Sequence, residues 1–236
     1  VTVSVSSSAG YWERLNAIGR RPMDSVVLPS DQKERVIADI RQFFQDEDWY
    51  YDNAVPFRRG YLFHGLPGTG KSSFILALAS LFDMPLYILN LADPDLDDSK
   101  LQELFNSVGN NVIMLLKNID TIIKKRSINE KKRKLSFSAV LNAIDGVTAS
   151  QDRILFMTTN HIDALDPALI RPGRVDYRME FSTLTPEQAG TMITRFYPEL
   201  IETLPTLLAH PKITQMVAAE LQKLLKTGAS LLYLKE

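Results

Sequence analysis

Gly65-Leu66-Pro67-Gly68-Thr69-Gly70-Lys71-Ser72 matches the pattern G-x-x-x-x-G-K-[ST] at every fixed position. The apolar run Tyr61–His64 before it predicts a strand, and Lys71–Phe82 after it predicts a helix. That context turns a glycine-rich turn into a phosphate cradle. Its glycines let backbone N–H groups wrap phosphate oxygens without Cβ clashes, and the helix N-terminus adds the positive end of its dipole. In such a loop the lysine, here Lys71, reaches the β- and γ-phosphates, while the hydroxyl of Ser72 is placed for Mg²⁺. The stretch therefore predicts a site for ATP or ADP with Mg²⁺, formed by Gly65, Pro67, Gly68, Thr69, Gly70, Lys71, Ser72 and Ser73.

Outward from the loop, short apolar runs alternate with helical ones. Leu86–Leu91, Val112–Leu116, Ile154–Thr159 and Tyr177–Phe181 join Tyr61–His64 as predicted strands. Lys100–Val108, Ser136–Ile144 and a short Pro167–Ile170 join Lys71–Phe82 as helices. Fully apolar strands separated by helices indicate an α/β fold with a central parallel sheet of five strands covered on both faces. Upstream, Asp31–Gln45 predicts a helix capped by Asp31 with Glu34 three residues on, its face formed by Val36, Ile37, Ile40 and Phe44. An aromatic linker, Trp49-Tyr50-Tyr51, follows. Pro186–Phe196 and Lys212–Lys226 predict a closing helical part. The expected organisation is an extended segment over 1–30, read as the remnant of a preceding domain, a nucleotide-binding α/β unit over 31–183 and a small helical lid over 184–236.

Composition narrows the chemistry. The 45% apolar and 23% charged residues suit an ordinary water-soluble domain, and a net charge of −1 disfavours a general nucleic-acid or membrane-surface role. The absence of cysteine removes disulfides, thiol catalysis and thiolate metal sites. His64, His161 and His210 are scattered, with no pair four residues apart, which disfavours a zinc site. The longest largely apolar run, Phe74–Phe82, is far short of the ~20 residues of a membrane span. The polar opening Val1–Gly10 has no basic residue and does not read as a targeting peptide. Its start in mid-strand, Val-Thr-Val-Ser-Val, suggests a piece of something longer.

Downstream, Thr158-Thr159-Asn160 closes a strand, and Leu165-Asp166-Pro167-Ala168-Leu169-Ile170-Arg171-Pro172-Gly173-Arg174-Val175-Asp176 follows. With the loop at 65–72, this resembles the second region of homology of the AAA family of ATPases. The resemblance implies that Asn160 senses the γ-phosphate and that Arg171 and Arg174 are arginine fingers reaching a neighbouring subunit's site. A guanidinium neutralises transition-state charge on phosphoryl oxygens, and such fingers are worth roughly 10³–10⁵ in rate. Taken alone, an Arg-Pro-Gly-Arg turn is more often a solvated surface turn. Four further stretches, Arg20–Leu28, Asp48–Tyr51, Phe57–Gly65 and Leu141–Thr148, are similar to the subfamily of mitochondrial inner-membrane chaperones that insert the Rieske iron–sulfur protein into respiratory complex III. That similarity runs from about Arg20 to Pro198. It implies a homo-oligomeric ring of six or seven subunits, a protein cargo moved in folded form, and a membrane connection only through a region outside this chain.

One departure bears on turnover. By the family pattern, the third strand should end in two carboxylates, the first supporting the Mg²⁺ shell and the second polarising the attacking water. Here Leu115-Leu116-Lys117-Asn118-Ile119-Asp120 places Lys117 and Asn118 at those positions. Lys117 inverts the charge that Mg²⁺ needs and Asn118 cannot accept a proton, leaving Asp120 as the one nearby acid and a weak candidate metal ligand. Two readings stay open: an ATPase that remodels or translocates a protein, and an ATP-gated structural or regulatory subunit that hydrolyses little. Two loops complete the reading. Asp93-Pro94-Asp95-Leu96-Asp97-Asp98 has no aromatic residue where unfolding members of the family grip a chain. Lys124–Lys134 holds seven basic residues and one acidic one, without the interleaved aromatics that stack on nucleic-acid bases; the resemblance places this loop near the pore, whereas by itself the run reads more readily as a solvated loop. No nucleic-acid partner is expected.

Overall fold

A computed structural model describes residues 1–15, 19–124, 134–145 and 152–227. The elements in chain order are β1 (Val3–Ser6), β2 (Trp12–Leu15), α1 (Ser30–Gln45), α2 (Glu47–Asp52), β3 (Arg58–Gly65), α3 (Lys71–Leu81), β4 (Leu86–Asn90), α4 (Asp98–Asn106), β5 (Val112–Lys117), α5 (Asp120–Lys124), α6 (Phe137–Asp145), β6 (Arg153–Thr159), β7 (Tyr177–Phe181), α7 (Pro186–Phe196), α8 (Leu204–Leu208), α9 (Pro211–Thr214) and α10 (Ala218–Thr227). The five expected strands are all present. They sit in a larger sheet of seven, in the order β2-β1-β4-β5-β6-β3-β7.

That is a correction to the N-terminal reading. Residues 1–30 are not merely an extended entry segment: β1 pairs parallel with β4, and β2 returns antiparallel as the sheet's edge. Val3 is buried, whereas β2 is largely exposed, as a charged edge strand should be.

Alternation along β5 shows how the strands bury both faces. Ile113 and Leu115 belong to one core, with Val36, Ile40, Phe43, Phe74 and Leu78 of α1 and α3. Met114 and Leu116 belong to the other, with Leu101, Leu104, Val140 and Ile144 of α4 and α6. In the first core Phe63 stacks on Phe74 at 5.7 Å between ring centres, fastening the strand before the phosphate loop to the helix after it.

Other sequence readings change in detail. α1 has Pro29 at its N-cap with no side-chain cap; Asp31 instead pairs with Arg35 one turn on, at 3.3 Å. Trp49-Tyr50-Tyr51 lies within α2, where Tyr50 packs edge-on against Phe43 and Phe57. Residues 167–170 form turns and no helix. Lys212–Lys226 is broken into α9 and α10, and the break has a use: the Met216 carbonyl there accepts from the Leu184 N–H at 2.9 Å, anchoring the lid to the chain leaving β7. The lid has its own core, including Leu184, Ile193, Leu207, Ile213, Leu221 and Leu225. α7 opens with a capping box between Thr185 and Gln188.

Candidate functional site

β3 lies between β6 and β7, and β5 lies beside β6. Parallel pairing puts the carboxyl ends of β3, β6 and β5 side by side, the position where open α/β sheets bind ligands. Three loops gather there: the glycine-rich loop after β3, Asn160 after β6, and Lys117-Asn118 at the end of β5.

The loop's first glycine is required by space. Gly65 has φ +125, and a Cβ on it would lie 2.0 Å from the Phe181 carbonyl oxygen on β7. Gly70, at φ +103, turns the chain into α3, whose first amides have no partner within the helix. Thr69 is buried and its Oγ1 donates to the Leu66 carbonyl at 2.8 Å, bracing the loop. The Lys71 ammonium donates to the carbonyls of Gly65 and Leu66, both at 2.7 Å. It is thus held inside the loop by neutral acceptors that a phosphate oxygen would outcompete.

Burial pushes the Lys71 ammonium down to about 8, against the opposing pull of Asp120. The consequence for ligand binding has a definite sign. Anions need the protonated form, so ATP affinity should fall by up to about tenfold as pH rises from about 7 to about 9, measured by calorimetric titration. The fold is not the cause of such a loss. A lysine whose folded pKa is depressed destabilises the fold most below about 8, and that penalty fades as pH rises towards 10.5.

A cavity of about 530 Å³ opens in front of the loop. Pro67, Gly68, Thr69, Gly70, Lys71, Ser72 and Ser73 line one side, and Thr158, Thr159, Asn160, Lys117 and Asn118 line the adjoining wall. Gly65 makes the turn behind it and Asp120 does not reach the wall. Asp120 is 5% exposed at the start of α5, near enough to Lys71 to favour its charged form. Asn118 sits at φ +60, a left-handed conformation that asparagine tolerates, and its amide donates to Asn90 Oδ1 at 3.1 Å. Thr121 donates to the Asn118 carbonyl through both its N–H and its hydroxyl, fixing the turn into α5.

The donor set does not make a magnesium site. Ser72 offers a neutral hydroxyl, but among the described residues no carboxylate lines the cavity, and no group of three acidic or histidine side chains could hold a metal ion. Magnesium is ordinarily held by one or two carboxylates besides the phosphates and water.

The opposite side of the cavity carries residues that the sequence reading missed. Arg21, Ser25, Val26 and Val27 come from the segment before α1; Met192, Arg195 and Phe196 come from α7, and Ala218, Ala219 and Gln222 from α10. Arg195 donates to the Asp24 carbonyl at 2.5 Å, joining lid to entry segment. The Ala219 N–H donates to the Gly68 carbonyl at 3.0 Å, seating the lid on the phosphate loop. In sequence these are an ordinary basic residue in a last helical turn and an alanine pair; only the folded chain brings them to the loop.

The two arginines of the Arg-Pro-Gly-Arg turn lie apart from the cavity and differ from each other. Arg171 is exposed. Arg174 is half-buried, bonded through both Nε and Nη2 to Asp145 of α6 and through Nη1 to the Ala168 carbonyl. Asp145 also pairs with Arg58 at 3.5 Å. The acidic loop is used locally: Asp97 caps α4 by accepting from the Lys100 N–H, and Asp98 accepts from Ser136. Of the basic run Lys124–Lys134, residues 125–133 lie outside the described residues, as do residues 146–148 of the stretch Leu141–Thr148.

Comparison with known proteins agrees with this architecture. Residues 61–183 match the model of the ATPase family associated with various cellular activities (AAA). The mitochondrial chaperone BCS1 of Bos taurus is 44% identical over 186 residues, 76% of this chain and 44% of that protein. The probable mitochondrial chaperone bcs1 of Schizosaccharomyces pombe is 42% identical over 207 residues, 85% of this chain and 46% of that protein. An Arabidopsis thaliana AAA-ATPase, At3g28610, is 31% identical over 212 residues, 81% of this chain and 44% of that protein. The chain thus spans about half the length of the curated relatives it matches. With the family model covering just over half of the chain, and BCS1 chaperones 42–44% identical over most of it, this protein belongs to the AAA family of ATPases, related to the BCS1 chaperones.

Proposed function

We propose that this chain is the ATP-binding module of a ring-forming assembly that acts on a protein cargo, as the Rieske-protein chaperones it resembles do. The observation that carries the reading is the cationic cavity between the phosphate loop and the lid, with Lys71 held ready in the loop. In this reading Lys71 and the α3 amides take the β- and γ-phosphates, Asn160 touches the γ-phosphate, and the lid residues Phe196 and Ala219 enclose the base and sugar. A ring of six or seven copies, a folded cargo and a mitochondrial inner-membrane setting for the parent protein extend the same resemblance. No helix among the described residues is long and apolar enough to cross a membrane.

A second reading has a specific observation in its favour. Lys117 and Asn118 occupy the cavity wall where an acid would activate water, and Asp120 is buried and not part of the lining. The chain would then use ATP as a ligand that favours assembly and would turn it over slowly. Steady-state ATPase rate and ATP affinity measured on one sample separate the two readings: tight binding with slow turnover supports the second, brisk turnover the first. In either case Lys71→Ala removes a charge-assisted phosphate contact worth about 1.5–3 kcal/mol, so ATP affinity should drop roughly 10- to 100-fold. Unchanged affinity in that variant would remove the loop from the binding site.

A further inference from the structure

Four cationic side chains, Arg21, Lys71, Lys117 and Arg195, line the cavity, and among the described residues no acidic side chain does. Their partners leave the charge in place. Lys71 and Arg195 bond to backbone carbonyls, which are neutral. Lys117 is half-buried at the end of β5, with no ion-pair partner among the described residues. Asp120, which favours the charged form of Lys71, is itself buried and is not among the residues that line the cavity. The wall that should present anions to a metal presents an ammonium and an amide.

We propose that this site takes the free, fully ionised nucleoside triphosphate, with the Lys117 ammonium doing the charge neutralisation that magnesium does elsewhere, so that binding is independent of divalent cations. The inference rests on the nucleotide reading of the cavity and goes beyond it by naming the ionic form of the ligand.

Three physical points support it. First, position: β5 lies beside β6, and β6 beside β3, so Lys117 stands on the wall next to the phosphate loop, where Ser72 also faces the cavity. Second, ligand chemistry: an ammonium offers three N–H donors to non-bridging phosphate oxygens, whereas magnesium requires a near-octahedral oxygen shell that one hydroxyl does not anchor. Third, charge: a magnesium ion brought to Ser72 would share the cavity with Lys117 and Lys71, and that like-charge repulsion favours the metal-free ligand. Lys117 and the ion are thus alternatives for one role.

The test is calorimetric titration of this chain with ATP, once in excess magnesium chloride and once in EDTA, on the parent, Lys117→Met and Lys117→Asp. The parent should bind ATP in EDTA as tightly as, or more tightly than, in magnesium. Lys117→Met keeps the apolar stem and loses the charge, so affinity in EDTA should fall by about tenfold or more, the worth of a charge-assisted contact. Lys117→Asp should reverse the order and bind ATP more tightly with magnesium. A parent that binds about tenfold more tightly with magnesium would overturn the proposal, as would a Lys117→Met protein of unchanged affinity in EDTA. Thermal unfolding midpoints of all three proteins, expected to agree closely because Lys117 is at a strand end, show that affinity and not folding has changed. Failure of ATP to bind in either condition, with Lys71→Ala equally silent, would overturn the nucleotide reading itself and this inference with it. Magnesium-dependent binding overturns the inference alone.

Discussion

Lys117→Glu combined with Asn118→Asp should raise the steady-state ATPase rate about 100-fold in the presence of magnesium, the scale of a well-placed general base. The order of the two acids follows from the backbone. Residue 118 sits at φ +60, where asparagine and aspartate are the side chains tolerated with least strain, so the shorter acid belongs there. Residue 117 is the last of β5, in extended conformation that accepts any side chain, and its carbonyl already holds the Leu91 N–H. Glutamate there removes the one positive charge on that wall without disturbing the strand. Each single variant should gain less than the pair, because metal support and water activation are separate tasks. The comparison is a coupled-enzyme assay at saturating ATP on the parent and the three variants. Brisk turnover by the unmodified chain would mean that Asp120 or another acid reaches the reacting water despite its burial. A double variant as slow as the parent would place the block elsewhere, in the lid or in the absence of a neighbour.

The parts of the fold legible in sequence were those whose signal is local. The phosphate loop is read by eight consecutive residues, and β5 and β6 by apolar runs that only a doubly covered sheet can bury. β1 and β2 were missed because neither has such a run. β1 is four residues long with two serines, and β2 carries Glu13 and Arg14 on an exposed edge. Their pairing depends on the distant β4, which no local pattern announces. The break between α9 and α10 is of the same kind, set by the bond from Leu184 rather than by any breaker in Lys212–Lys226. On the site, the phosphate side was readable and the opposite side was not, since Arg21, Arg195 and Ala219 gain their place only when entry segment and lid close on the loop. The lack of an acid at 117 and 118 was visible in sequence. That Asp120 is buried and off the cavity lining needed the structure, since it lies two residues past the left-handed turn at Asn118.

The two arginines of the Arg-Pro-Gly-Arg turn should separate under mutation, one acting on assembly and the other on stability. The family resemblance gives both to a neighbour's site. In the single chain they are not equivalent. Arg171 is exposed, so Arg171→Ala should change stability by no more than about 0.5 kcal/mol. Arg174 is 14% exposed in its side chain and joins three parts of the chain: its own turn, the Ala168 carbonyl and Asp145, which Arg58 also holds. The turn is further fixed to β3 by the bonds of Asp176, whose N–H donates to the Gly60 carbonyl and whose carboxylate accepts from the Gly60 N–H. Arg174→Ala leaves Asp145 with a single, longer ion pair and an unmet carbonyl. Because Asp145 is about a third exposed, the loss should be about 2–3 kcal/mol rather than the full price of a buried pair. That corresponds to a Tm lower by roughly 4–12 °C for a chain of this size. Assembly is read by sedimentation at high protein concentration with ATP, with ADP and with neither. If Arg171 meets a neighbour's γ-phosphate, ATP should favour the assembled form over free subunits more than ADP does. Arg171→Ala should then remove that difference, weakening ATP-dependent association about tenfold or more, as loss of a charge-assisted contact does. Arg174→Ala should keep the difference between nucleotides while melting earlier. The reverse pattern, a silent Arg171→Ala with Arg174→Ala abolishing ATP-dependent assembly, would show that forming the ring frees Arg174 from Asp145. ATP-dependent assembly that survives both substitutions together would show that neither arginine reads the neighbour's phosphate.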